Sequence, residues 1–421
     1  MNTRAKYSLW THWLLLAGGA GVALVYSGFI LAWVRTSGTG EGSFVEIGIS
    51  LVLGMGLIFL GSYRRTTRIT LYQVIYLLPI AIYFFVAVAG AYAAGDGKIF
   101  AWLLFGLMYL GLMMFVNVMR SRVIEGFLLV ALVELMFFLA FNREAIFSYS
   151  GGRGRVSFDN QAYTLTAYAI AGGTVAALYS LVFQGRAHLR SLAVLGLSVI
   201  IILGTGTRSV LVGLFAAVFS LYFVNRITRS TLKRVALYSI AAVVAGGVLF
   251  ALIPTLQDRL LNTFDLIMSG ASTLSGDQGN FEQSANGRRI SREIGYYNFT
   301  ENPLVGAGFF TRQLDFPLLQ SYQDFGIGFG LCFTFGFLIL PYLVAFKAFR
   351  HGTDQEKFLA ALYILNSPRL FLHGTTYDWI IFIYVMPIYS MLLNRPEWGL
   401  LFNRPKLRSP RRQVRMEGMN V

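Results

Sequence analysis

An uncharged apolar stretch, LYQVIYLLPIAIYFFVAVAGAYA, runs from Leu71 to Ala93. A helix needs roughly 20 apolar residues to cross the hydrocarbon core of a bilayer, so this stretch is long enough to span a membrane. Similar stretches recur along the chain, in which 56% of the residues are hydrophobic and 13% are charged. Soluble domains carry about 25% charged residues. The sequence therefore predicts an all-α integral membrane protein.

The apolar stretches predict about 12 transmembrane helices in one polytopic domain that covers residues 1–421. A long polar segment, residues 255–323, separates the ninth helix from the tenth. The seventh, eighth and eleventh helices are short. The predicted spans are 8–33, 44–62, 71–93, 99–119, 123–141, 161–183, 191–204, 209–224, 235–254, 324–348, 358–372 and 376–393.

Basic residues distinguish the two sides of this predicted domain. Alternate loops are basic, beginning with the N-terminal tail that carries Arg4 and Lys6. Cytoplasmic loops of membrane proteins carry an excess of Lys and Arg. Both termini are therefore predicted to be cytoplasmic, with residues 395–421 as a basic tail, and the loop 255–323 is predicted to lie on the opposite side. The net charge of +15 fits attraction to anionic membrane lipids, and we expect no nucleic-acid partner.

The sequence offers no pattern typical of a metal site. Cys332 is the single cysteine and lies in an apolar run, which excludes an intramolecular disulfide and a thiol cluster. No pair among the four histidines has zinc-ligand spacing, and no acidic cluster resembles a cage for a divalent cation. We expect neither a metal ion nor another cofactor.

Arginines on the predicted non-cytoplasmic side are exceptions to the charge rule and are candidate functional residues. Arginine forms planar, bidentate hydrogen bonds with phosphate and stays charged at working pH. The alternative is that these side chains reach lipid headgroups or pair with nearby acids. The candidates are Arg153, Arg155, Arg208, Arg288, Arg289 and Arg292.

Two of these arginines are predicted to lie where helices begin. Thr207 can cap a helix that starts near Arg208, and Asn286 can cap a helix over residues 287–299 that stops before Pro303. A cation in the first turn opposes the helix macrodipole, and a bound anion would relieve that conflict. We therefore expect Arg208 and Arg288 to bind phosphate.

Further pairings are predicted inside the second of these helices. Arg288 and Arg292 are four residues apart and share a face, and Arg289 and Glu293 have the spacing of an ion pair. On the same side of the membrane, His373 is the histidine within reach and Asp378 follows it. Histidine is the usual general base near neutral pH, although a polar residue at a helix end is also commonly structural.

The order and spacing of these motifs resemble the superfamily of O-antigen ligases and O-antigen polymerases. Those proteins carry Gly-Arg, a Pro about fifteen residues later and then Gly-x-Gly, as do Gly287-Arg288, Pro303 and Gly306-Ala307-Gly308 here. The segments around Arg155, Thr207-Arg208-Ser209 and His373-Gly374 are similar to further motifs of the superfamily, and the long loop between helices nine and ten also matches.

One departure from the superfamily concerns the general base. Its members often carry His-Asn in the long loop, upstream of Glu-x-Gly, and the histidine is the proposed base of the ligases. Here Asp324-Phe325-Gly326 stands in place of Glu-x-Gly, and counting back reaches Asp315-Phe316 or Leu319-Gln320, without a histidine. The resemblance then favours a polymerase over a ligase and leaves Asp315 and His373 as alternative bases.

The resemblance implies a C-type glycosyltransferase-like enzyme in the bacterial inner membrane with a periplasmic active site. It would transfer a glycan from undecaprenyl diphosphate to the terminal sugar hydroxyl of another lipid-linked repeat unit, without a metal ion and with inversion. Arg208 and Arg288 would bind the diphosphate, with Arg153, Arg155, Arg289 and Arg292 on the diphosphate or the glycan. A chain-length regulator is a further candidate partner. The alternatives are a ligase that uses lipid A-core as acceptor and, from another class, a polysaccharide flippase or transporter.

Overall fold

The computed structural model describes residues 9–27, 43–62, 71–147, 163–185, 189–205, 208–223, 233, 283–372, 376–377, 379–395 and 398, and no β-strand lies among them. They form the helices α1 (Leu9–Ser27), α2 (Ser43–Ser62), α3 (Leu71–Ala93), α4 (Gly97–Phe115), α5 (Val123–Phe147), α6 (Tyr163–Leu178), α7 (Leu189–Thr205), α8 (Arg208–Phe223), α9 (Gln283–Glu301), α10 (Pro317–Phe333), α11 (Leu340–His351), α12 (Asp354–Asn366), α13 (Arg369–Leu372) and α14 (Trp379–Asn394).

Each predicted span except 235–254 coincides with one of these helices or with two in succession. The segment 235–254 lies outside the described residues, so the number of twelve helices and their orientation remain predictions. The all-helical character is confirmed for the described part of the chain.

Several helix ends differ from the prediction, and three of them have a clear structural context. α4 ends at Phe115 because Val116 is extended (φ −112°, ψ 156°) and the amide of Asn117 donates to the carbonyl of Ser62 at 2.9 Å. α5 continues to Phe147, beyond the predicted end at 141. α10 begins at Pro317 and not at 324, with the proline in the first turn where its missing N–H costs nothing.

The helices have the apolar outer surface expected of a membrane protein. Three helical segments are long and apolar enough to cross a bilayer, at Gln73–Ala93, Gly97–Phe115 and Pro317–His351. Phe85 and Phe215 lie on the outer faces of their helices and are exposed by 78% and 71%. The buried faces of the same helices are apolar as well. A helix that is apolar on all sides is typical of a membrane span.

Small residues let α1 approach its neighbours closely. A Cβ atom on Gly61 of α2 would collide with the backbone of α1 at Gly18, and one on Gly126 of α5 would collide with the backbone at Gly19. Glycine at such crossings is typical of helix packing in membranes. The hydroxyls of Ser62 and Ser121 form a hydrogen bond beside this crossing.

The path from α10 to α11 passes through a π-helical segment, Thr334–Ile339, that precedes Pro341. Proline removes a backbone donor from a helix and leaves carbonyl groups without an intrahelical partner. Two buried tyrosines supply the missing hydrogen bonds: Tyr363 donates to the carbonyl of Phe337 at 2.9 Å and Tyr389 donates to that of Gly336 at 2.9 Å. These bonds tie α10 and α11 to α12 and α14.

Candidate active site

Arg208 is the first residue of α8, as predicted. The predicted cap, Thr207, lies outside the described residues. Ser209, the second residue of α8, is buried. α8 crosses α12 closely, because a Cβ atom on Gly213 would collide with the carbonyl oxygen of Leu365. This crossing fixes the first turn of α8 relative to α12.

The helix that carries Arg288 begins earlier than predicted. α9 starts at Gln283, so Asn286 lies inside its first turn and is not the cap. The residues between them are Ser and Ala, which do not interrupt a helix. Arg288 therefore lies in the second turn, and the prediction that it opposes the macrodipole in the first turn is wrong. The predicted end of this helix before Pro303 is confirmed.

Two other predicted site residues of α9 have described contacts. The guanidinium of Arg289 lies 3.5 Å from the carboxylate of Glu293, as their spacing predicted, and both side chains are exposed. The guanidinium of Arg292 lies over the ring of Phe316, 5.0 Å from its centroid. Phe316 directly follows Asp315, whose side chain is exposed. The structure thus packs a candidate substrate-binding arginine on the residue that follows a candidate base.

The short helix α13 lies beside this group. The ring of Phe371 packs against that of Phe316, with centroids 6.3 Å apart. His373 follows α13 in the sequence, but it lies outside the described residues, as do Arg153 and Arg155. Their predicted roles stay predictions.

Two motifs that are distant in sequence meet through their backbones. The amide of Ala307 donates to the carbonyl of Gln323 at 2.7 Å, and the amide of Gly308 donates to that of Asp324 at 3.1 Å. In the opposite direction, the amide of Ile327 donates to the carbonyl of Pro303 at 2.8 Å. The Gly306-Ala307-Gly308 motif therefore lies along α10 at the Asp324-Phe325-Gly326 motif.

The glycines of both motifs are required by this contact. Gly306 has a φ of +76°, and a Cβ atom there would lie 2.5 Å from the carbonyl carbon of Asp324. Gly326 has a φ of +75° and interrupts α10 together with Phe325, and its Cβ atom would collide with the carbonyl oxygen of Leu304. Only glycine adopts this conformation readily and leaves room for the facing backbone. The Gly-x-Gly motif thus joins two segments of chain.

A buried polar group lies at this interruption of α10, and we name it the Asp324 cluster: Gln320, Gln323, Asp324 and Tyr377. The hydroxyl of Tyr377 donates to the carboxylate of Asp324 at 2.6 Å, and Nε2 of Gln323 donates to the same carboxylate at 3.2 Å. The ring of Tyr377 packs on that of Phe309, with centroids 4.7 Å apart. All four side chains are fully buried.

The glutamines of the Asp324 cluster hold the chain between α9 and α10. Nε2 of Gln323 also donates to the carbonyl of Arg312 at 3.3 Å, and Oε1 of Gln320 accepts from the amide of Leu314 at 3.4 Å. Nδ2 of Asn298, on α9, donates to Oε1 of Gln323 at 3.4 Å. The cluster therefore positions α9, and with it Arg292, against the start of α10.

The sequence gives one signal for this cluster, because Asp324 is a single carboxylate at the start of a predicted span. No signal marks Tyr377, which reaches Asp324 through the fold alone. Among the residues that the structure describes, no three His, Cys, Asp or Glu side chains are placed as metal ligands. The expected independence from metal remains a prediction.

Comparison with known proteins bears on the segment that contains most of these residues. Residues 192–331 match the family model described as O-antigen ligase. The matched segment includes Arg208, Arg288, Asp315 and both glycine motifs. No curated protein gives a match to the chain. The predicted resemblance to the superfamily of O-antigen ligases and O-antigen polymerases is thus confirmed by the match over residues 192–331.

Proposed function

We propose that the protein is an O-antigen polymerase of the bacterial inner membrane. It transfers a glycan from undecaprenyl diphosphate to the terminal sugar hydroxyl of another lipid-linked repeat unit on the periplasmic face. The observation that carries the proposal is the family match over residues 192–331, which contains both the start of α8 at Arg208 and the helix of Arg288. Within the same segment Arg292 packs over the ring of Phe316, the residue that follows Asp315.

The proposed reaction is a displacement at the anomeric carbon of the donor. The acceptor oxygen forms a bond to this carbon, the bond to the diphosphate oxygen breaks, and the leaving lipid diphosphate takes the electron pair. Fixed cations stabilise the charge that develops on a leaving group in a poorly hydrated site. We assign this role to Arg208 and Arg288, with Arg155 or Arg292 beside them. Attack from the opposite face inverts the anomeric centre.

The proton of the acceptor hydroxyl passes to a base, for which Asp315 and His373 are the alternatives. Asp315 is exposed and lies next to Phe316, where Arg292 packs, so a substrate has access to its carboxylate. Asp315→Asn and His373→Ala separate the two. The variant that lacks the true base should lose about 10²–10⁴ in turnover, and the other variant should keep nearly full activity. Full activity in both would assign proton removal to the donor phosphate or to water.

A ligase is the second candidate, because the description of the matching family names this activity. The two functions share the donor and differ in the acceptor, which is lipid A-core for a ligase. The match does not favour a flippase or transporter.

The lipopolysaccharide ladder of a deletion strain tests the proposal. A core that carries a single repeat unit is expected for a polymerase. Bare core with accumulated lipid-linked polymer would assign the protein as a ligase. A wild-type ladder would contradict both. The same strain, complemented with the wild-type chain, controls for effects on neighbouring genes.

A further inference from the structure

Two neighbouring apolar side chains are exposed on the chain that leads from α9 to α10. Leu304 and Val305 follow the end of α9 within four residues and are exposed by 78% and 74%. We name this pair the apolar tip. Single exposed apolar residues are common, but two neighbouring ones at one turn indicate a contact with lipid or with another protein surface.

The turn that carries the apolar tip is fixed against α10. The amide of Ile327 donates to the carbonyl of Pro303 at 2.8 Å. A Cβ atom on Gly326 would lie 2.4 Å from the carbonyl oxygen of Leu304, so the two backbones touch at this point. The apolar tip therefore lies level with Ile327 along α10.

The helices α10 and α11 show where this level lies relative to a bilayer. They belong to one helical segment, Pro317–His351, that is long and apolar enough to cross a membrane. At a rise of about 1.5 Å per residue, Ile327 and Lys347 are roughly 30 Å apart, which is the thickness of the hydrocarbon core. Lys347 lies at the basic end of α11, close to Arg350. The apolar tip therefore lies at the opposite boundary of the hydrocarbon core.

The helix α3 gives the same level independently. A Cβ atom on Gly90 would meet the rings of Phe309 and Phe325, so the chain just after the apolar tip packs near the end of α3. Gly90 lies roughly 28 Å along α3 from Leu71, again close to the thickness of the hydrocarbon core. Two separate helices thus place the apolar tip at one boundary.

Exposed tyrosines lie around this boundary. Tyr296 and Tyr297 precede the apolar tip on α9, and Tyr92 lies next to the end of α3. Tyrosine is enriched where a membrane meets water, because its ring is apolar and its hydroxyl is polar. An apolar tip flanked by exposed tyrosines is the arrangement expected of a segment that rests on a bilayer.

We propose that the apolar tip contacts the acyl chains of the leaflet opposite to Lys347, the periplasmic leaflet in the predicted topology. Irregular backbone does not lie in contact with lipid inside the hydrocarbon core, so the backbone of the turn stays at the boundary and the two side chains reach the lipid. The segment 255–323 is then more than a loop in water, because its end rests on the membrane. This contact gives α9, the helix of Arg288 and Arg292, a fixed end at the membrane surface.

Spin-label depth measurements on the full chain test this contact, in nanodiscs of phosphatidylethanolamine and phosphatidylglycerol. Leu304→Cys and Val305→Cys, each in a chain with Cys332→Ala, carry the nitroxide, and power saturation measures its collisions with oxygen and with nickel-ethylenediamine diacetate. Oxygen dissolves in hydrocarbon, whereas the polar nickel complex stays in water. Both labels should therefore show a ratio of oxygen to nickel collisions several-fold above that of a label at Gln313→Cys.

Two label positions serve as matched references. Gln313 is exposed on the same connection between α9 and α10 and is the reference for water. Phe85 is exposed on α3 and is the reference for lipid, where Phe85→Cys should give the highest ratio. Each labelled chain should melt at the temperature of the Cys332→Ala parent, which shows that the label has not unfolded the turn. Val305→Cys keeps the inference testable if Leu304→Cys does not fold.

The two reagents together identify what covers the apolar tip. A collision ratio equal to that of Gln313→Cys at either position would place the tip in water and overturn the inference. Few collisions with both reagents would show that protein covers the tip, from another segment of this chain or from a second copy, and would also overturn it. Neither result bears on glycan transfer, which the ladder of the deletion strain tests separately.

Discussion

The Asp324 cluster and the arginines of α9 lie in neighbouring parts of the fold, because Nδ2 of Asn298 on α9 donates to Oε1 of Gln323 at 3.4 Å. They differ in burial and in pairing. In the Asp324 cluster the buried carboxylate accepts from Tyr377 and Gln323, and the glutamines bind the backbone between α9 and α10. On α9, Arg289 is exposed and lies near the exposed carboxylate of Glu293.

This difference assigns different roles to the two groups. A fully paired buried network makes a structure rigid and gains little from a ligand. Exposed guanidinium groups contribute little to stability and can bind an anionic substrate. We therefore expect changes in the Asp324 cluster to reduce stability, and changes at the predicted site arginines to reduce binding or turnover. The predictions below test this division, from the largest expected effect to the smallest.

The largest effect should come from Gly326→Ala, at the contact between the two glycine motifs. The new Cβ atom meets the carbonyl oxygen of Leu304, and alanine is strained at a φ of +75°. Strain and overpacking together should lower the free energy of unfolding by about 2–5 kcal/mol. Thermal unfolding in detergent measures this change.

Gly328→Ala is the matched control, since nothing lies within 4 Å of its Cβ position on the same helix. We expect it to fold and melt as the wild type does. Equal melting temperatures for the two variants would show that the glycine motifs do not hold the chain together.

The second prediction concerns turnover. Arg208→Ala should reduce turnover by about 10²–10³, because one fixed donor to the leaving group is lost. The melting temperature should stay unchanged, in contrast to Gly326→Ala. Arg208→Lys should recover little activity. Polymer ladders and detergent melting curves measure the two properties on the same preparation.

Arg288→Ala extends this test to α9, where the arginine lies in the second turn. A loss of turnover equal to that of Arg208→Ala would indicate that Arg288 acts through its guanidinium, without help from the end of a helix. Lowered melting temperature with full activity per folded molecule, in both variants, would make these arginines structural.

How much of the structure can be predicted from the sequence depends on how far apart in the chain the interacting residues lie. Helix α3 follows from its apolar stretch alone, and the ion pair of Arg289 with Glu293 follows from spacing on one helix. The sequence predicts the start of α9 too late, because Asn286 has the residue type of a cap but lies in a sequence that continues as a helix.

Contacts between distant segments are beyond such patterns. The bond of Tyr377 to Asp324 joins residues far apart in the chain, as does the packing of Arg369 on Tyr168. In the sequence, Arg369 is one of several basic residues and Tyr168 one of many aromatic ones. Only the packing of α6, α8 and α13 brings them to the start of α8.

The third prediction is a loss of stability in Tyr377→Phe. The change leaves the ring on Phe309 but removes the hydroxyl that donates to Asp324 at 2.6 Å. An acceptor that loses its buried partner should lower the free energy of unfolding by about 1–3 kcal/mol. Tyr92→Phe, at a tyrosine that is 78% exposed, is the control and should melt as the wild type does. Reduced turnover at an unchanged melting temperature would move the Asp324 cluster from the structural to the catalytic group.

The smallest effect should come from Arg289→Ala, in an ion pair on the surface of α9. The guanidinium and the carboxylate of Glu293 are 3.5 Å apart, and their side chains are exposed by 61% and 62%. Solvent screens such a pair, so the free energy of unfolding should fall by about 0.2–0.5 kcal/mol. Arg292→Ala should cost slightly more, because it removes the contact of the guanidinium with the ring of Phe316. A double-mutant cycle with Glu293→Ala measures the interaction energy of the pair.

A role of Arg289 in substrate binding has a different consequence. If Arg289 binds the glycan, Arg289→Ala raises the KM for the lipid-linked substrate, whereas Glu293→Ala leaves it unchanged. Equal KM values in the two variants would remove Arg289 from the proposed binding site and leave it as a surface residue that supports α9.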